Sequence, residues 1–464
     1  MTAIVWYRRD LRVHDHPALR AALDEHDAVV PAFCFDDRLL TGRHASGNRT
    51  QFMLECLSDL DASLRDRGGH LYLRRGRPEL ELSALAREIG ATAVYVTRDV
   101  GPFARKRQEQ VRAALAEAEI ELLSYPGLFA VDSLGAIQTG AGDPYTVFTP
   151  FWRNWSAQPR RELIGAPRSV PAPGDRVTRG RLPALVALGL QQEAEDPAPG
   201  GESAGRTALA RFLGGPISDY AEGRNTLTGE SVSRLSPYLH FGCLSPREIE
   251  AHLPGGAGAA AFHRQLCWRD FHAHVLGHFP ANAHSEFQQR YRGTIRWSHA
   301  EKRFEAWCEG RTGYPSVDAG MRQLRREGWM HNRARLIVGS FLTKDLGIDW
   351  RWGERWFMRH LLDGDQASNN GNWQWIASVG VDPAPAFQRM FNPTLQQQRF
   401  DPGGDYVRRY VPELADIPDR YLSEPWKMPD EVQERIGCRI GRDYPEPIVD
   451  HRQAREEALA RYRI

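Results

Sequence analysis

The residues best suited to chemistry crowd into one stretch of this chain. Of the 13 tryptophans, all but Trp6, Trp152, Trp155 and Trp426 fall between residues 268 and 375. Inside that stretch runs Asp363-Gly364-Asp365-Gln366-Ala367-Ser368-Asn369-Asn370-Gly371-Asn372-Trp373-Gln374-Trp375, acidic and amide-rich at first and closed by two indoles. A hydrophobic core needs bulk, but not this much oxidisable, stacking bulk beside polar groups. The pattern suits a buried aromatic cofactor with an electron path, and a flat ligand stacked on rings. The plainer alternative is an all-helical core that favours tryptophan. Residues 231–239, Ser-Val-Ser-Arg-Leu-Ser-Pro-Tyr-Leu, gather hydroxyls, backbone N–H groups and an arginine in one polar loop. Such a loop suits a phosphate or diphosphate, although serine-rich helix caps look similar.

Groups like these must be held by ordered elements. The first part of the chain alternates strand and helix. Short apolar runs at 3–7, 28–35, 70–73, 93–97 and 120–124 alternate with helical spacing at 17–23, 50–67, 78–89 and 103–118. The run 28–35 is continuously apolar, as in a strand buried on both faces. This alternation predicts a doubly wound parallel sheet. No GxGxxG follows the first strand and no GxxxxGK[ST] occurs, so neither an ordinary dinucleotide site nor a P-loop is indicated. From Pro126 the pattern breaks into proline- and glycine-rich sequence, read as a long surface-running linker. From Arg206 onward only helices are expected, at 207–213, 246–252, 259–276, 303–309, 317–327, 332–346 and 351–362. The fold class is therefore an α/β N-terminal domain over 1–130, a linker over 131–205 and an all-α C-terminal domain over 206–464.

Composition bounds the function without choosing it. A chain of 464 residues with 41% hydrophobic and 26% charged residues reads as a soluble globular protein of two domains. Met1–Asp10 has no apolar core of a secretory signal, and no run of about 18 apolar residues exists to span a membrane. Cys34, Cys56, Cys243, Cys267, Cys308 and Cys438 are scattered without a CxxC pair, which points to a reducing cytoplasm and away from disulfides or structural zinc. Net charge is +1. Only Lys106, Lys302, Lys344 and Lys427 are lysines, so the positive charge is nearly all arginine, a bias that neither supports nor excludes a nucleic-acid partner.

Taken together, the segments resemble the photolyase/cryptochrome flavoproteins over nearly the whole length. The resemblance is carried by Trp6-Tyr7-Arg8-Arg9-Asp10-Leu11-Arg12, Ser233 to Leu239, Cys267-Trp268-Arg269-Asp270-Phe271, Gly313-Tyr314-Pro315, Gly328 to Arg333 and Asp363 to Trp375. It is nearest to the class I cyclobutane-pyrimidine-dimer photolyases. The resemblance implies FAD in the helical domain, with no metal. Tyr220, Val232, Ser233, Arg234, Leu235 and Ser236 match the positions that hold its phosphates and ribitol. Phe262, Arg269, Asn332, Arg335, Asp363, Gly364 and Asp365 match other cofactor positions, with Arg335 as the partner of Asp363. Asn369 matches the residue opposite the flavin N5. Trp373, Trp350 and Trp297 match the electron-transfer chain that restores the reduced flavin.

On the DNA side, Trp268 and Trp375 match the rings that flank a flipped-out dimer. Arg224, Arg333, Asn332 and Gln265 match contacts to backbone and lesion. The family's antenna site is matched by Arg49 and Asp99, more in the manner of 8-hydroxy-5-deazaflavin than of methenyltetrahydrofolate. Some positions depart from the pattern. Gln265 stands where Glu is common, and cannot donate a proton to the lesion. Val232, Leu336 and Phe262 replace the commoner Thr, Met and Trp. His331-Asn332-Arg333 lacks the paired histidines of (6-4) photolyases. The resemblance therefore implies a cytoplasmic, monomeric, light-dependent enzyme that splits cyclobutane pyrimidine dimers in UV-damaged DNA, with no obligate protein partner. A cryptochrome-type blue-light receptor and a (6-4) photolyase are the alternatives within the family.

Overall fold

The computed structural model describes residues 1–174, 177–382 and 384–463. Five strands, β1 (Thr2–Tyr7), β2 (Ala28–Phe35), β3 (Tyr72–Arg75), β4 (Ala91–Thr97) and β5 (Glu121–Tyr125), form one sheet in the order β3-β2-β1-β4-β5. Every pairing is parallel, with Ile4 opposite Val30 on one side and Val94 on the other. The crossovers are α1 (Pro17–Glu25), α2 (Gly47–Arg65), α3 (Pro78–Ile89) and α4 (Pro102–Ala116). Three of them open on proline, whose missing N–H costs nothing in the first turn. Because helices cover both faces, residues 29–35 of β2 are all buried, as the unbroken apolar run predicts.

The connector is packed only in its first part, while its described residues from 159 to 199 are mostly exposed or half-buried, as a surface-running segment is. It contains α5 (Phe148–Ala157), in which Phe151 and Trp155 are wholly buried. Phe151 lies 5.1 Å from Phe271 of the helical domain. The proline-rich flanks of this helix hid it, and its aromatic face is what pulls the connector down onto the core.

The remaining helices are α6 (Glu202–Leu213), α7 (Pro246–Ala251), α8 (Ala257–His278), α9 (Glu301–Glu309), α10 (Pro315–Glu327), α11 (Asn332–Ser340), α12 (Trp350–His360), α13 (Gln366–Ile376) and α14 (Pro393–Phe400). Short helical turns and a last helix, His451–Arg461, complete the C-terminal part, with no strand of the sheet among the described residues there. The helix expected over 332–346 changes character at Phe341, where it loosens into a π-turn, Phe341–Asp345. One apolar cluster runs across both domains: Phe52 of α2 lies 5.5 Å from both Tyr238 and Phe241. No described helix is long and apolar enough to cross a membrane.

Candidate functional site

The acidic-amide run becomes the turn into α13 and the helix itself. Asp365 is its N-cap, with Oδ1 accepting from Ser368 N at 2.8 Å. Asp363, two residues earlier, accepts from Arg335 Nη2 at 2.8 Å, the pair the family resemblance implies. Its second oxygen, Oδ1, is buried and has no partner. Buried carboxylate oxygens are normally satisfied, so this atom marks a place where a donor is wanted.

Beside it lies a crevice lined by Asn332, Arg335, Asp363, Ser368, Asn369, Asn372 and Trp373, with Leu336, Phe357 and Leu361 supplying apolar wall. Asn369 is 8% exposed, and its Nδ2 donates to the carbonyl of Glu354 at 2.9 Å. One of the two amide hydrogens is thereby engaged, which leaves the second hydrogen to donate and Oδ1 to accept from a ligand. Arg335 is fixed from behind by its Nε bond to Met330 O at 2.9 Å. His331 caps α11 by accepting from Arg333 N, and burial together with Arg333 and Arg335 pushes it down to about 4. It is neutral at pH 7, so the cations here are the arginines.

The Ser-rich loop sits at the same end of the domain. Arg234 takes a left-handed backbone, φ 54°, and lays its guanidinium 4.4 Å from the Trp329 ring while pairing with Glu327 at 3.0 Å. Ser236 Oγ accepts from Trp329 Nε1 at 3.2 Å, and Ser233 Oγ accepts from Leu235 N at 3.4 Å. Neither hydroxyl caps the helix that follows; Ser233 braces the loop backbone and Ser236 braces Trp329, and each keeps a hydroxyl hydrogen to donate. Val232 and Leu235 are carried by the same loop, with Leu235 buried. Tyr220 packs edge-on against Phe262 at 5.3 Å, and burial pushes its hydroxyl up to about 12.

The three tryptophans expected to carry electrons lie on α13, at the start of α12 and in the segment before α9. Trp373 is 3% exposed and rests on the α12 backbone at Gly353, where an added Cβ would stand 2.1 Å from the ring. Only glycine permits that approach. Trp350 lies one turn earlier on α12 and is fully buried. A bridge of Ser298 with Ile348 sets the segment that carries the half-buried Trp297 next to the start of α12. The nearest rings to Trp373 are Phe357 at 5.0 Å and Trp307 at 6.3 Å, two neighbours that the sequence reading does not single out.

Gln265, Trp268 and His272 share one face of α8. That helix touches α13 where Gly371 meets His272, closely enough that a Cβ would be 2.2 Å from Nδ1. Trp268 and Trp375 each sit one turn from this contact. On the rim, Arg333 donates to Asn225 Oδ1 at 2.8 Å and lies 4.3 Å over Phe400, with Arg224 and Arg399 near enough to lower its pKa after burial has done so. Arg399 escapes the sequence reading, because nothing local separates it from other surface arginines.

Four predicted residues serve the contact between domains. Arg9 donates to Asp99 at 2.7 and 2.8 Å and to Asp365 at 2.8 Å. Asp99 also accepts from Gly101 N at 3.0 Å. Arg49 donates to the carbonyls of Met358 and His44 and lies under the 363–365 turn, where a Cβ on Gly364 would meet its Nη1 at 2.6 Å. Arg269 donates to the carbonyls of Leu128 and Leu239 at 2.7 and 3.2 Å. The polar atoms of Arg49 and Asp99 are thus taken, and an antenna site there draws no support from them. A larger cleft lies elsewhere, between the start of α2, residues 189–193 and the Trp352–Trp356 face of α12.

The chain is matched by two family descriptions: "DNA photolyase" over residues 3–173 and "FAD binding domain of DNA photolyase" over residues 262–464. A deoxyribodipyrimidine photo-lyase from Streptomyces griseus is 44% identical over 98% of this chain and 97% of its own. Among solved structures, a class III photolyase from Agrobacterium tumefaciens superposes with a TM-score of 0.92 at 37% identity, covering 99% of this chain and 97% of that one. A cryptochrome from Synechocystis does so with 0.91 at 32%, covering 99% and 98%.

Proposed function

The chain belongs to the photolyase/cryptochrome family, and on that premise we propose that it is a light-dependent DNA repair enzyme, a deoxyribodipyrimidine photo-lyase that uses FAD to split cyclobutane pyrimidine dimers. The observation that carries the reading is the crevice of α11, α12 and α13. There an unpartnered Asp363 oxygen, a fixed arginine and an amide acceptor converge beside a buried indole. These residues fit a flavin: a ring with N–H donors wants acceptors, and its phosphates want the hydroxyls and N–H groups of residues 231–236. When bound, the flavin supplies a light-excitable one-electron donor.

The chain's own residues do the rest. Asp363, Arg335 and Asn332 bind and orient the ring, and Asn369 Oδ1 accepts a ring N–H. An acceptor at that atom favours the ring form that carries hydrogen there. Trp373, Trp350 and Trp297 lead from the crevice towards solvent and return electrons to it. Trp268 and Trp375 stack the extruded bases, each worth about 1–3 kcal/mol without sequence preference. Gln265, on the same helix face as Trp268, donates to a pyrimidine carbonyl. Arg224 and Arg333 hold phosphate while the lesion, easier to unstack than normal bases, swings out.

Illumination of the purified, reduced protein with dimer-containing DNA tests this. Restored monomers are expected; no repair under light would end the proposal. A blue-light receptor without repair activity is the second reading, favoured by the likeness to the Synechocystis cryptochrome. It predicts unrepaired dimers in that assay, although the oxidised protein would still photoreduce in a separate one.

A further inference from the structure

Each of the two indoles assigned to the lesion has one flat face already occupied. Trp268 stacks on Phe148 with ring centroids 3.7 Å apart and planes 3° apart. Its other ring neighbours are Phe271, edge-on at 5.6 Å, and His272, tilted by 32° at 5.6 Å, so Phe148 is its one parallel partner. Phe148 is itself held: it is 8% exposed, meets Phe271 edge-on at 5.7 Å, and has the Arg264 guanidinium 5.0 Å away.

Trp375 is backed by a cation instead of a ring. Arg389 lies 4.1 Å from its ring centroid and donates to the Trp375 carbonyl at 2.9 Å. Arg389 also pairs with Asp382 at 2.6 Å, and Asp382 accepts from Trp375 Nε1 at 3.2 Å. Arginine, indole and carboxylate therefore form a closed triangle. Arg389 is 2% exposed, whereas both indoles are half-buried. Among the described residues, no aromatic ring stacks on Trp375.

We propose that Phe148 and Arg389 are positioning residues, which occupy the rear faces of Trp268 and Trp375 so that each indole presents its remaining face to one base of an extruded pyrimidine pair. The physical gain is preorganisation. An indole held by stacking on one side and hydrogen bonds at its edge loses little further freedom when a base lands on the other. A buried guanidinium over a ring is also worth more than an exposed one. The inference rests on the DNA-repair reading above, and it concerns selectivity for the lesion over normal DNA, since undamaged duplex keeps its bases stacked inside.

The test uses the FAD-loaded protein and two labelled duplexes of one sequence, with and without a dimer, followed by fluorescence anisotropy. Phe148→Leu and Arg389→Met are each expected to weaken dimer binding about tenfold. Affinity for the undamaged duplex should stay within about twofold, because phosphate contacts set it. Phe148→Tyr and Arg389→Lys should regain most of the loss, and in repair assays KM should move more than kcat. Unchanged selectivity in Phe148→Leu and Arg389→Met would overturn the inference. So would equal losses on both duplexes, or failure of the conservative variants to recover binding, since either marks a merely structural role. A parent protein without any preference for the dimer would instead sink the repair reading itself.

Discussion

Arg9, two residues past the end of β1, donates to Asp365 at the start of α13 across 356 positions of sequence, at 2.8 Å. The same guanidinium holds Asp99 with its other nitrogens, so one side chain ties the sheet's carboxyl end to the cap of the helix that carries the site.

Breaking that tie takes from two half-buried carboxylates the one guanidinium that bonds both, leaving Arg8 near Asp99 and Arg269 near Asp365. Arg9→Met is expected to cost about 3 kcal/mol, the low end for a broken buried pair because Arg9 keeps some exposure. The pH dependence has a definite sign. Burial raises Asp365, but the Arg9 charge together with His240, the Ser368 N–H and Arg269 outweighs it and leaves the acid at about 2; Asp99 is likewise held below its ordinary range. A depressed folded-state pKa contributes stability above the ordinary value near 3.8 and loses it as pH falls towards about 2. Circular dichroism melts between pH 2 and 6 should therefore show a flatter acid limb in Arg9→Met than in the parent. Parallel limbs would contradict the assignment.

Asp270 should work in the opposite direction. Burial raises it to about 6, against the pull of Arg269 and its bonds from Trp155 Nε1 and Ala130 N. With an elevated folded-state pKa the native protein holds the extra proton, so this group's contribution falls as pH rises from about 4 to about 6. Asp270→Asn, which still accepts both bonds, should remove that slope in denaturant titrations at a series of pH values. An unchanged slope would assign it to other groups.

Arg335→Met removes the charged partner of Asp363 and should raise the dissociation constant for FAD about tenfold or more, the scale of one lost charge-assisted bond. Arg335→Lys should recover part of it. The ratio of visible flavin absorbance to protein absorbance after dialysis reads the effect, and full occupancy in Arg335→Met would contradict the cofactor assignment.

Trp373→Phe should block light-driven reduction of oxidised flavin while leaving repair intact once the flavin is reduced chemically. Its packing loss is smaller than the about 3–5 kcal/mol of a Trp→Ala change, so the fold should survive. A chemically reduced variant that fails to repair would show that Trp373 is needed in the repair step as well.

Arg224→Ala and Arg333→Ala should each weaken binding to damaged and undamaged duplex alike. Each should lower the slope of log K against log salt by about 0.9, one released counterion. A loss confined to damaged DNA would move that arginine from the backbone to the lesion.

The parallel sheet was legible because strands such as 28–35 are apolar without interruption, which only burial on both faces tolerates. The helical half was legible from its 3.6-residue spacing, and the Arg335–Asp363 pair only through the family resemblance. α5 was not, since prolines on both flanks outweighed its aromatic face.

Within the site, residue types in order said which groups are present, and folding decided which of their atoms remain free. Asp363 and Asp365 look equivalent on paper. In the structure one keeps an unpartnered oxygen beside the crevice, and the other is consumed by a helix cap and an arginine from the far end of the chain. Arg49 and Asp99 read as ligand contacts and turn out to be domain struts, while Phe148 and Arg389 are unremarkable in sequence and sit flat against the two indoles. Local sequence encodes periodicity and capping, which act over a few residues. A hydrogen bond or a stacked ring between positions 120 or 356 apart depends on how the two domains close, and no local pattern records that.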